Sequence, residues 1–273
     1  MNFKHKKLVI ALEIIFLVVF FWWFGTFKIK INHVSIANDK IKDNITIVHI
    51  SDLHGSSFGK NNEKLIKKIE EQKPNIIVAT GDMYSAGDEK GKQVAFQLLT
   101  ELAKSYPTYF VNGEHDSNES FMENLKAHNV KVLDYQDEII TIGNTNLHFY
   151  GISNVYYSPT FNLNHEFTLD PENYSILLAH IANLPAFEKF GVDLALCGDT
   201  HGGQVRLPFL GAIYTQDSWF PDLQGKPMKG LYSQNNTNLF ISCGLGNYPI
   251  PIRIFNRPEI AVIQLIPSVS KYF

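Results

Sequence analysis

The chain has 273 residues, of which 45% are hydrophobic and 13% aromatic, so it can build one large domain or two small ones around a real core. Its net charge of −3 gives no basic excess, which argues against nucleic acid as a partner. Cys197 and Cys243 lack zinc-site spacing and lie in apolar runs, so we expect buried thiols instead of a disulfide framework.

An apolar run from Leu8 to Phe27 follows three lysines and is long enough to cross a bilayer as a helix. No convincing small-residue cleavage site follows it, so residues 1–27 are predicted to form an uncleaved membrane anchor. The preceding lysines favour a cytoplasmic N-terminus. We therefore expect a single-pass membrane protein with an extracytoplasmic domain, although Lys28 and Lys30 oppose this orientation weakly.

Residues 28–44 are predicted to be a linker, and regular strand and helix patterns begin at Ile45. Runs rich in β-branched residues predict strands at 45–50, 75–80, 108–112, 130–133, 138–142, 147–150, 174–179, 194–197, 204–207, 239–242 and 260–266. Amphipathic patterns predict helices at 61–72, 94–104, 121–128 and 184–190. This alternation predicts parallel strands covered by helices, with a second sheet packed on the first. The segment 214–238 is predicted to be an extended loop near the functional site.

Five clusters of acidic residues and histidines follow predicted strands: Asp52-Leu53-His54, Gly81-Asp82, Gly113-Glu114-His115-Asp116, His180 and Gly198-Asp199-Thr200-His201. Functional loops gather at the carboxyl ends of strands in open α/β sheets, so we expect these clusters to meet. Carboxylate oxygens and imidazole nitrogens are ligands of divalent metals, and two such ions side by side can activate water against a phosphate ester. The sequence therefore predicts a site for two divalent metal ions.

The predicted metal ligands form two shells that share Asp82: the first adds Asp52, His54 and His201, and the second adds Glu114, His180 and Asp199. His115 lies beside a ligand and is predicted to stabilise the transition state or to protonate the leaving oxygen. Asp116 is predicted to orient the His115 imidazole.

These motifs resemble the calcineurin-like metallophosphoesterases, whose pattern is D-x-H, G-D, G-N-H-D/E, H and G-H-x-H. The resemblance runs from about Ile47 to the C-terminus and implies that 45–273 form a metallophosphoesterase domain. It implies an α/β fold, a four-layer αββα sandwich of two mixed sheets flanked by helices, preceded here by one transmembrane helix. The stretches 198–208 and 252–259 are similar to a membrane-associated bacterial subgroup of phosphodiesterases and of pyrophosphatases that act on UDP-diacylglucosamine.

The sequence departs from the family pattern at two positions. Glu114 stands where the family usually has asparagine, and Asp199 stands where it usually has histidine. Two added carboxylates favour Mn²⁺, with Mg²⁺ or Fe²⁺ next and Zn²⁺ less favoured. The same changes leave open an alternative, a catalytically weak or inactive metal-binding module that docks a partner at the membrane.

The resemblance implies hydrolysis of a phosphomonoester, a phosphodiester or a diphosphate, and the anchor suggests a lipid-linked or cell-envelope substrate. Arg206 and Arg253 can bind a phosphate group, although salt bridges at strand edges explain them equally well. Four aromatic residues can line a groove for an acyl chain or simply pack the loop: Tyr214, Trp219, Phe220 and Tyr232. An intracellular nucleic-acid phosphodiesterase fits less well, and the oligomeric state is left open.

Overall fold

Two six-stranded β-sheets lie at the centre of the computed structural model, which describes residues 3–153, 157–158, 160–214 and 227–268. With strands labelled in chain order, the first sheet is arranged as β1 (Lys30–Asn38), β14 (Glu259–Pro267), β2 (Ile45–Ile50), β3 (Ile76–Thr80), β4 (Thr108–Val111) and β5 (Val130–Val132). Strands β2 to β5 are parallel, β14 is antiparallel to β2, and β1 is parallel to β14.

The second sheet is arranged as β12 (Gly230–Gln234), β13 (Thr237–Ile241), β9 (Leu194–Cys197), β8 (Tyr174–Leu178), β7 (Thr145–Gly151) and β6 (Gln136–Ile142). Its four inner strands are parallel, and each edge strand is antiparallel to its neighbour. A separate antiparallel hairpin joins β10 (Val205–Leu207) and β11 (Gly211–Tyr214).

Helices cover the outer faces of both sheets. They are α2 (Glu63–Glu70), α3 (Glu89–Ala103) and α4 (Glu119–Ala127) on the first sheet and α5 (Leu184–Phe190) on the second. Successive strand residues point to opposite faces, so Val48 packs under the helices while Ile47 packs between the sheets. The inter-sheet core is closed from the other side by residues such as Phe149 and Ile176. These layers confirm the predicted αββα sandwich.

The described part of the chain contains three strands that the sequence did not predict, one of which is β11 of the hairpin. The predicted linker 28–44 contains β1, which pairs with β14 along all nine of its residues. The predicted loop 214–238 contains β12, which pairs with β13. Strands β1 and β12 lie at a sheet edge and keep several exposed residues, so neither has the buried apolar run by which the inner strands were recognised.

Helix α1 (Phe3–Phe27) buries almost none of its side chains against the rest of the protein, and its stretch His5–Phe27 is long and apolar enough to cross a membrane. Among the described residues, the contacts of α1 with the domain come from its C-terminal end. Gly25 and Thr26 are buried there, and a Cβ at Gly25 would lie 2.4 Å from the Arg253 carbonyl oxygen. The Trp22 indole Nε1 donates to the Pro251 oxygen (3.1 Å), and Thr26 Oγ1 accepts from Arg253 N (3.2 Å).

The loops that follow β3 and β4 are fastened together by the buried carboxylate of Asp116. One of its oxygens accepts from Met83 N at 2.7 Å and the other from Gly113 N at 2.6 Å. This contradicts the predicted role of Asp116, because its carboxylate is engaged by backbone amides and not by the His115 imidazole. Burial, with the nearby Asp82 carboxylate, raises the pKa of Asp116 to about 7. Asp116 therefore fixes the spacing of two functional loops.

We expect Asp116→Asn to lower the free energy of unfolding by about 1–3 kcal/mol, because an amide turns one of its two acceptors into a donor facing a buried N–H group. The measurement is urea unfolding of the full chain in detergent. The exposed Asp39 provides the isosteric control Asp39→Asn, which we expect to change stability by less than about 0.5 kcal/mol. Equal unfolding midpoints for the two variants would contradict the proposal that Asp116 holds the two loops together.

Candidate metal centre

The carboxyl ends of five strands from both sheets meet at one place. Asp52 N donates to the Gly81 carbonyl oxygen and His54 N to the Asp82 carbonyl oxygen, both at 3.0 Å, which ties the loops after β2 and β3 together. Across the sheets, Asp199 N donates to Asp52 Oδ1 at 3.0 Å. The predicted clusters therefore come together as expected from their positions after parallel strands.

Tight left-handed turns carry the ligands away from the strand ends. Asp52, Asp82 and His201 have φ of 50°, 52° and 48°, a region that non-glycine residues seldom adopt. Gly81 has φ of 85°, and a Cβ there would lie 2.8 Å from His180 Nδ1. Such backbone geometry is maintained only where the surrounding structure enforces it, and it concentrates at functional sites.

Three groups of side chains bring ligand atoms within 4.8 Å of one another: Asp52, His54 and His201; His54, Asp82 and His115; and Asp52, Asp82 and His180. Every member is buried except His115, which is partly exposed. Six residues thus contribute nitrogen and carboxylate donors to one small volume. The predicted ligands Asp52, His54, Asp82, His180 and His201 all belong to this cluster.

The histidine rings present their Nε2 atoms to the centre of the cluster. His54 Nε2 and His201 Nε2 lie 3.1 Å apart, and burial lowers the pKa of His54 to about 3 and that of His201 well below its usual value. His180 Nδ1 donates to the Thr80 carbonyl oxygen at 2.7 Å, which leaves its Nε2 facing Asp82 Oδ2 at 3.3 Å. A backbone carbonyl on the far nitrogen is a common arrangement behind a metal-ligating histidine.

The cluster contains more negative charge than its histidines neutralise. Burial, together with the carboxylates of Asp82 and Asp199 and against the pull of His180, raises the pKa of Asp52 to about 7. Burial alone would lower the pKa of His180, but the same carboxylates and Asp52 raise it well above the usual value. The local electrostatics therefore favour an additional positive charge near His180 and Asp82.

The donor set fits divalent metal ions. Asp52 Oδ2 is fully buried and has no hydrogen-bond partner among the described residues, which is costly for a polar atom unless something else binds it. His180 Nε2 is also buried and faces the Asp82 carboxylate, and imidazole together with carboxylate is a common donor set for first-row divalent metals. A divalent cation would match both the unpartnered Asp52 oxygen and the excess negative charge.

The two carboxylates that depart from the family pattern lie at the edge of the cluster. Asp199 Oδ1 is 3.9 Å from His180 Nε2, within the reach of a shared ion. Glu114 is not a member of the three ligand groups, and its Oε1 lies 3.6 Å from His115 Nε2. Both side chains are about one third exposed, unlike the buried ligands.

His115 is oriented by the backbone and by an aromatic ring. Its Nδ1 accepts from Ala86 N at 3.3 Å, so Nε2 carries the hydrogen in the neutral ring and lies 4.0 Å from Asp82 Oδ2. The Tyr248 ring stacks on His54 with centroids 4.6 Å apart and meets His115 edge-on at 4.9 Å. His115 therefore has a donor directed toward the cluster.

The predicted phosphate-binding role of Arg253 is wrong. Its guanidinium is fully buried and donates to the carbonyl oxygens of Gly246 and Asn256 and to Asn247 Oδ1, at 2.7–3.3 Å. Arg253 thus supports the loop that carries Tyr248. Arg206 is partly exposed and donates from Nη1 to the Gly202 carbonyl oxygen at 2.8 Å, one residue beyond His201.

Of the four predicted groove aromatics, Trp219 and Phe220 lie outside the described residues, as does the Tyr214 side chain. Tyr232 lies on β12 and packs against the core under α5, and its hydroxyl accepts from Met228 N at 3.2 Å. Tyr232 thus belongs to ordinary packing.

Sequence reasoning missed the supporting residues around the ligands. Tyr248 covers His54, Ser85 Oγ lies 3.0 Å from His54 Nδ1, and Asn256 Nδ2 donates to the His201 carbonyl oxygen at 2.6 Å. A signal for Tyr248 exists, since the Gly244-to-Pro249 stretch follows a strand as the five ligand clusters do. Ser85 and Asn256 have no such signal.

Comparison with known proteins agrees with this geometry. The calcineurin-like phosphoesterase family profile matches residues 45–203. The chain is 29% identical to metallophosphoesterase YkuE of Bacillus subtilis, over 82% of this chain and 79% of YkuE. It is 28% identical to phosphodiesterase YaeI of Escherichia coli, over 82% of this chain and 84% of YaeI. Among solved structures, NAD nucleotidase of Haemophilus influenzae is similar with a TM-score of 0.44 and 16% identity, covering 74% of this chain and 45% of that one.

With more than half of its length matched by one family profile, the chain belongs to the calcineurin-like phosphoesterase family and is a metallophosphoesterase.

Proposed function

We propose that this protein hydrolyses a phosphoester with two divalent metal ions held by seven residues. The observation that carries the proposal is the set of three overlapping groups of carboxylate and imidazole donors, in which Asp52 Oδ2 is buried without a hydrogen-bond partner among the described residues. The wider set consists of Asp52, His54, Asp82, Glu114, His180, Asp199 and His201.

Asp82 is the natural shared ligand, because it faces histidines on two sides. Its Oδ2 lies 3.7 Å from His54 Nε2 and 3.3 Å from His180 Nε2. Asp52, His54 and His201 complete one binding position, and His180, Asp199 and Glu114 complete the other. When bound, such ions supply an acidified water as nucleophile and neutralise charge on the phosphoryl oxygens.

His115 is the candidate for the leaving-group side of the reaction. Its Nε2 carries the hydrogen because Nδ1 accepts the Ala86 amide, and Tyr248 restricts the ring from one side. A donor fixed at the edge of the cluster can protonate the departing oxygen. Of the two arginines predicted to bind phosphate, Arg206 remains available to a substrate near His201.

We further propose Mn²⁺ as the metal, with Mg²⁺ or Fe²⁺ able to replace it and Zn²⁺ less effective. The two added carboxylates, Glu114 and Asp199, raise the share of hard oxygen donors around the second position. Harder donors favour these metals relative to zinc.

The substrate is proposed to be lipid-linked or part of the cell envelope. Helix α1 is the proposed single-pass membrane anchor, and its end docks on the segment 247–257, which also carries Tyr248 over His54. The anchor therefore holds the metal centre close to a membrane surface.

Asp82→Asn should lower hydrolysis of bis-p-nitrophenyl phosphate with Mn²⁺ by at least roughly 100-fold, because it neutralises the carboxylate shared by both binding positions. Metal content after loading should fall from two ions per chain, and Zn²⁺ should support slower turnover than Mn²⁺ in the wild type. Asp39→Asn, with the same charge change at an exposed site, should behave as the wild type.

Equal rates for Asp82→Asn and the wild type would refute the hydrolase. One ion per chain without turnover on any phosphoester would instead support the alternative, a metal-binding module that docks a partner.

His115→Gln should lower the rate by roughly 100- to 10,000-fold for a phosphodiester with a poor leaving group such as methoxide, and much less for one with p-nitrophenoxide. A good leaving group needs no proton, whereas a poor one depends on it. Metal content should stay at the wild-type value. If the variant loses bound metal in proportion to its loss of rate, His115 is a metal ligand, as its membership of one of the three ligand groups allows.

The domain should lie outside the cytoplasm, because the lysines before α1 favour a cytoplasmic N-terminus. Alkaline phosphatase fused to the C-terminus should then be active in cells. A green fluorescent protein fused at the same position should not fluoresce. The reverse pattern would place the metal centre in the cytoplasm.

A further inference from the structure

A cluster of exposed apolar side chains lies on two adjoining turns beside the metal centre. One turn joins β10 to β11, and the other is the 252–255 segment. Arg206 N donates to the Ile254 carbonyl oxygen and Ile254 N donates to the Gln204 carbonyl oxygen, both at 3.0 Å. The exposed residues of these turns, here named the apolar rim, are Leu207, Phe209, Leu210, Ile252, Ile254 and Phe255.

Two phenylalanines of the apolar rim are held out into solvent. Phe209 is fully exposed and Phe255 is 68% exposed. Their φ angles of 69° and 50° lie in the left-handed region, which bulky side chains rarely adopt. A contiguous apolar patch of this kind on a folded protein marks a surface that contacts a partner or a membrane.

The apolar rim is connected directly to the end of α1. Trp22 donates to the Pro251 carbonyl oxygen, and Thr26 accepts from Arg253 N, so the contacts of α1 flank Ile252 on both sides. Arg257 donates to the carbonyl oxygens of Lys28 and Ile29 at 2.8 Å, which fixes the chain that leaves the helix. The apolar surface of α1 therefore continues into the rim.

Basic residues lie around this junction. Lys28 and Lys30 are exposed just after α1, and Lys28 Nζ lies 5.1 Å from the Trp23 ring centroid. Arg206 and Lys229 are partly exposed on the side of the metal centre. Tryptophan next to lysine at the end of an apolar helix is typical of the membrane interface, where basic residues contact anionic headgroups.

We propose that the apolar rim lies in the lipid interface, with Phe209 and Phe255 inserted beside the point where α1 leaves the bilayer. The proposal rests on the membrane anchor proposed above and names lipid as the occupant, because the rim continues the apolar surface of α1 and is flanked by cations. Asn256, next to Phe255, holds the backbone of His201 at 2.6 Å, so the rim adjoins the metal centre. In this position the metal centre is next to phosphoesters whose apolar chains lie in the membrane.

The test places a thiol-reactive, polarity-sensitive fluorophore at Phe209→Cys or Phe255→Cys in the full chain. The native Cys197 and Cys243 are buried, so the introduced thiol reacts selectively. The protein is reconstituted into vesicles of phosphatidylethanolamine and phosphatidylglycerol that contain doxyl-labelled phosphatidylcholine. We expect blue-shifted emission that doxyl lipid quenches and aqueous iodide does not.

Two control positions show how the fluorophore responds in water and in the bilayer. Ile139→Cys lies on β6, at the far edge of the second sheet, is 50% exposed and should be quenched by iodide alone. Phe20→Cys lies within α1 and should be quenched by doxyl lipid. If doxyl lipid quenches the probe at position 20 while iodide quenches the probes at positions 209 and 255, the proposal for the rim is overturned. The membrane anchor formed by α1 is then still supported. Protection of 209 from both quenchers would indicate a protein on the rim and would also overturn it.

Activity provides a second measurement. The double variant Phe209→Ser and Phe255→Ser should hydrolyse water-soluble bis-p-nitrophenyl phosphate at the wild-type rate. Its rate on hexadecyl p-nitrophenyl phosphate held in the same vesicles should fall by roughly tenfold, because the inserted side chains no longer stabilise the membrane contact. Equal losses on both substrates would contradict the proposal. A wild type inactive on both would refute the hydrolase, while the fluorophore result would still decide the position of the rim.

Discussion

Excess negative charge at the junction of the two sheets is the constraint on which the arrangement of this molecule depends. Asp52 and Asp82 are almost fully buried within one group of ligand atoms, and isolated buried carboxylates are very costly. The raised pKa of His180 shows how the protein alone meets this charge, with a proton held among carboxylates. A divalent cation would meet the same requirement and would also give the buried Asp52 Oδ2 a partner. Bringing these donor atoms together requires tight turns after the strands. It also requires glycine at positions such as Gly113, where a Cβ would collide with Asp82 Oδ1.

The ligands come from both sheets, so the site depends on how the sheets pack. Asp52 and Asp82 follow strands of the first sheet, while His180 and His201 follow strands of the second. Hydrogen bonds from backbone amides cross the junction at the site: Asp199 N donates to the Asp52 side-chain Oδ1, and Leu245 N donates to the Ser51 carbonyl oxygen at 2.9 Å. A change that shifts one sheet against the other would therefore change the spacing of the candidate ligands, and ion binding at the cluster would in turn stabilise the packing of the sheets.

The sequence predicts the parts of this molecule that are governed by local patterns. The buried inner strands, and the candidate metal-binding residues that meet after them, follow from the sequence because β-branched runs and the carboxyl ends of parallel strands obey simple rules. The roles of Asp116 and Arg253 could not be predicted, because each depends on backbone groups brought near by the fold: two amides for Asp116 and three oxygen acceptors for Arg253. Strand β1 was missed for a similar reason, since its pairing with β14 joins segments more than two hundred residues apart.

One short segment connects helix α1 with the candidate metal centre. Residues 246–257 receive the end of α1, contain the buried Arg253 that braces the loop, place Tyr248 on His54 and support His201 through Asn256. Gly25 packs directly on the Arg253 carbonyl, and the contact leaves no room for a Cβ. The end of α1 and the side chains around His54 are consequently linked through contacts that a fragment beginning after α1 would lack.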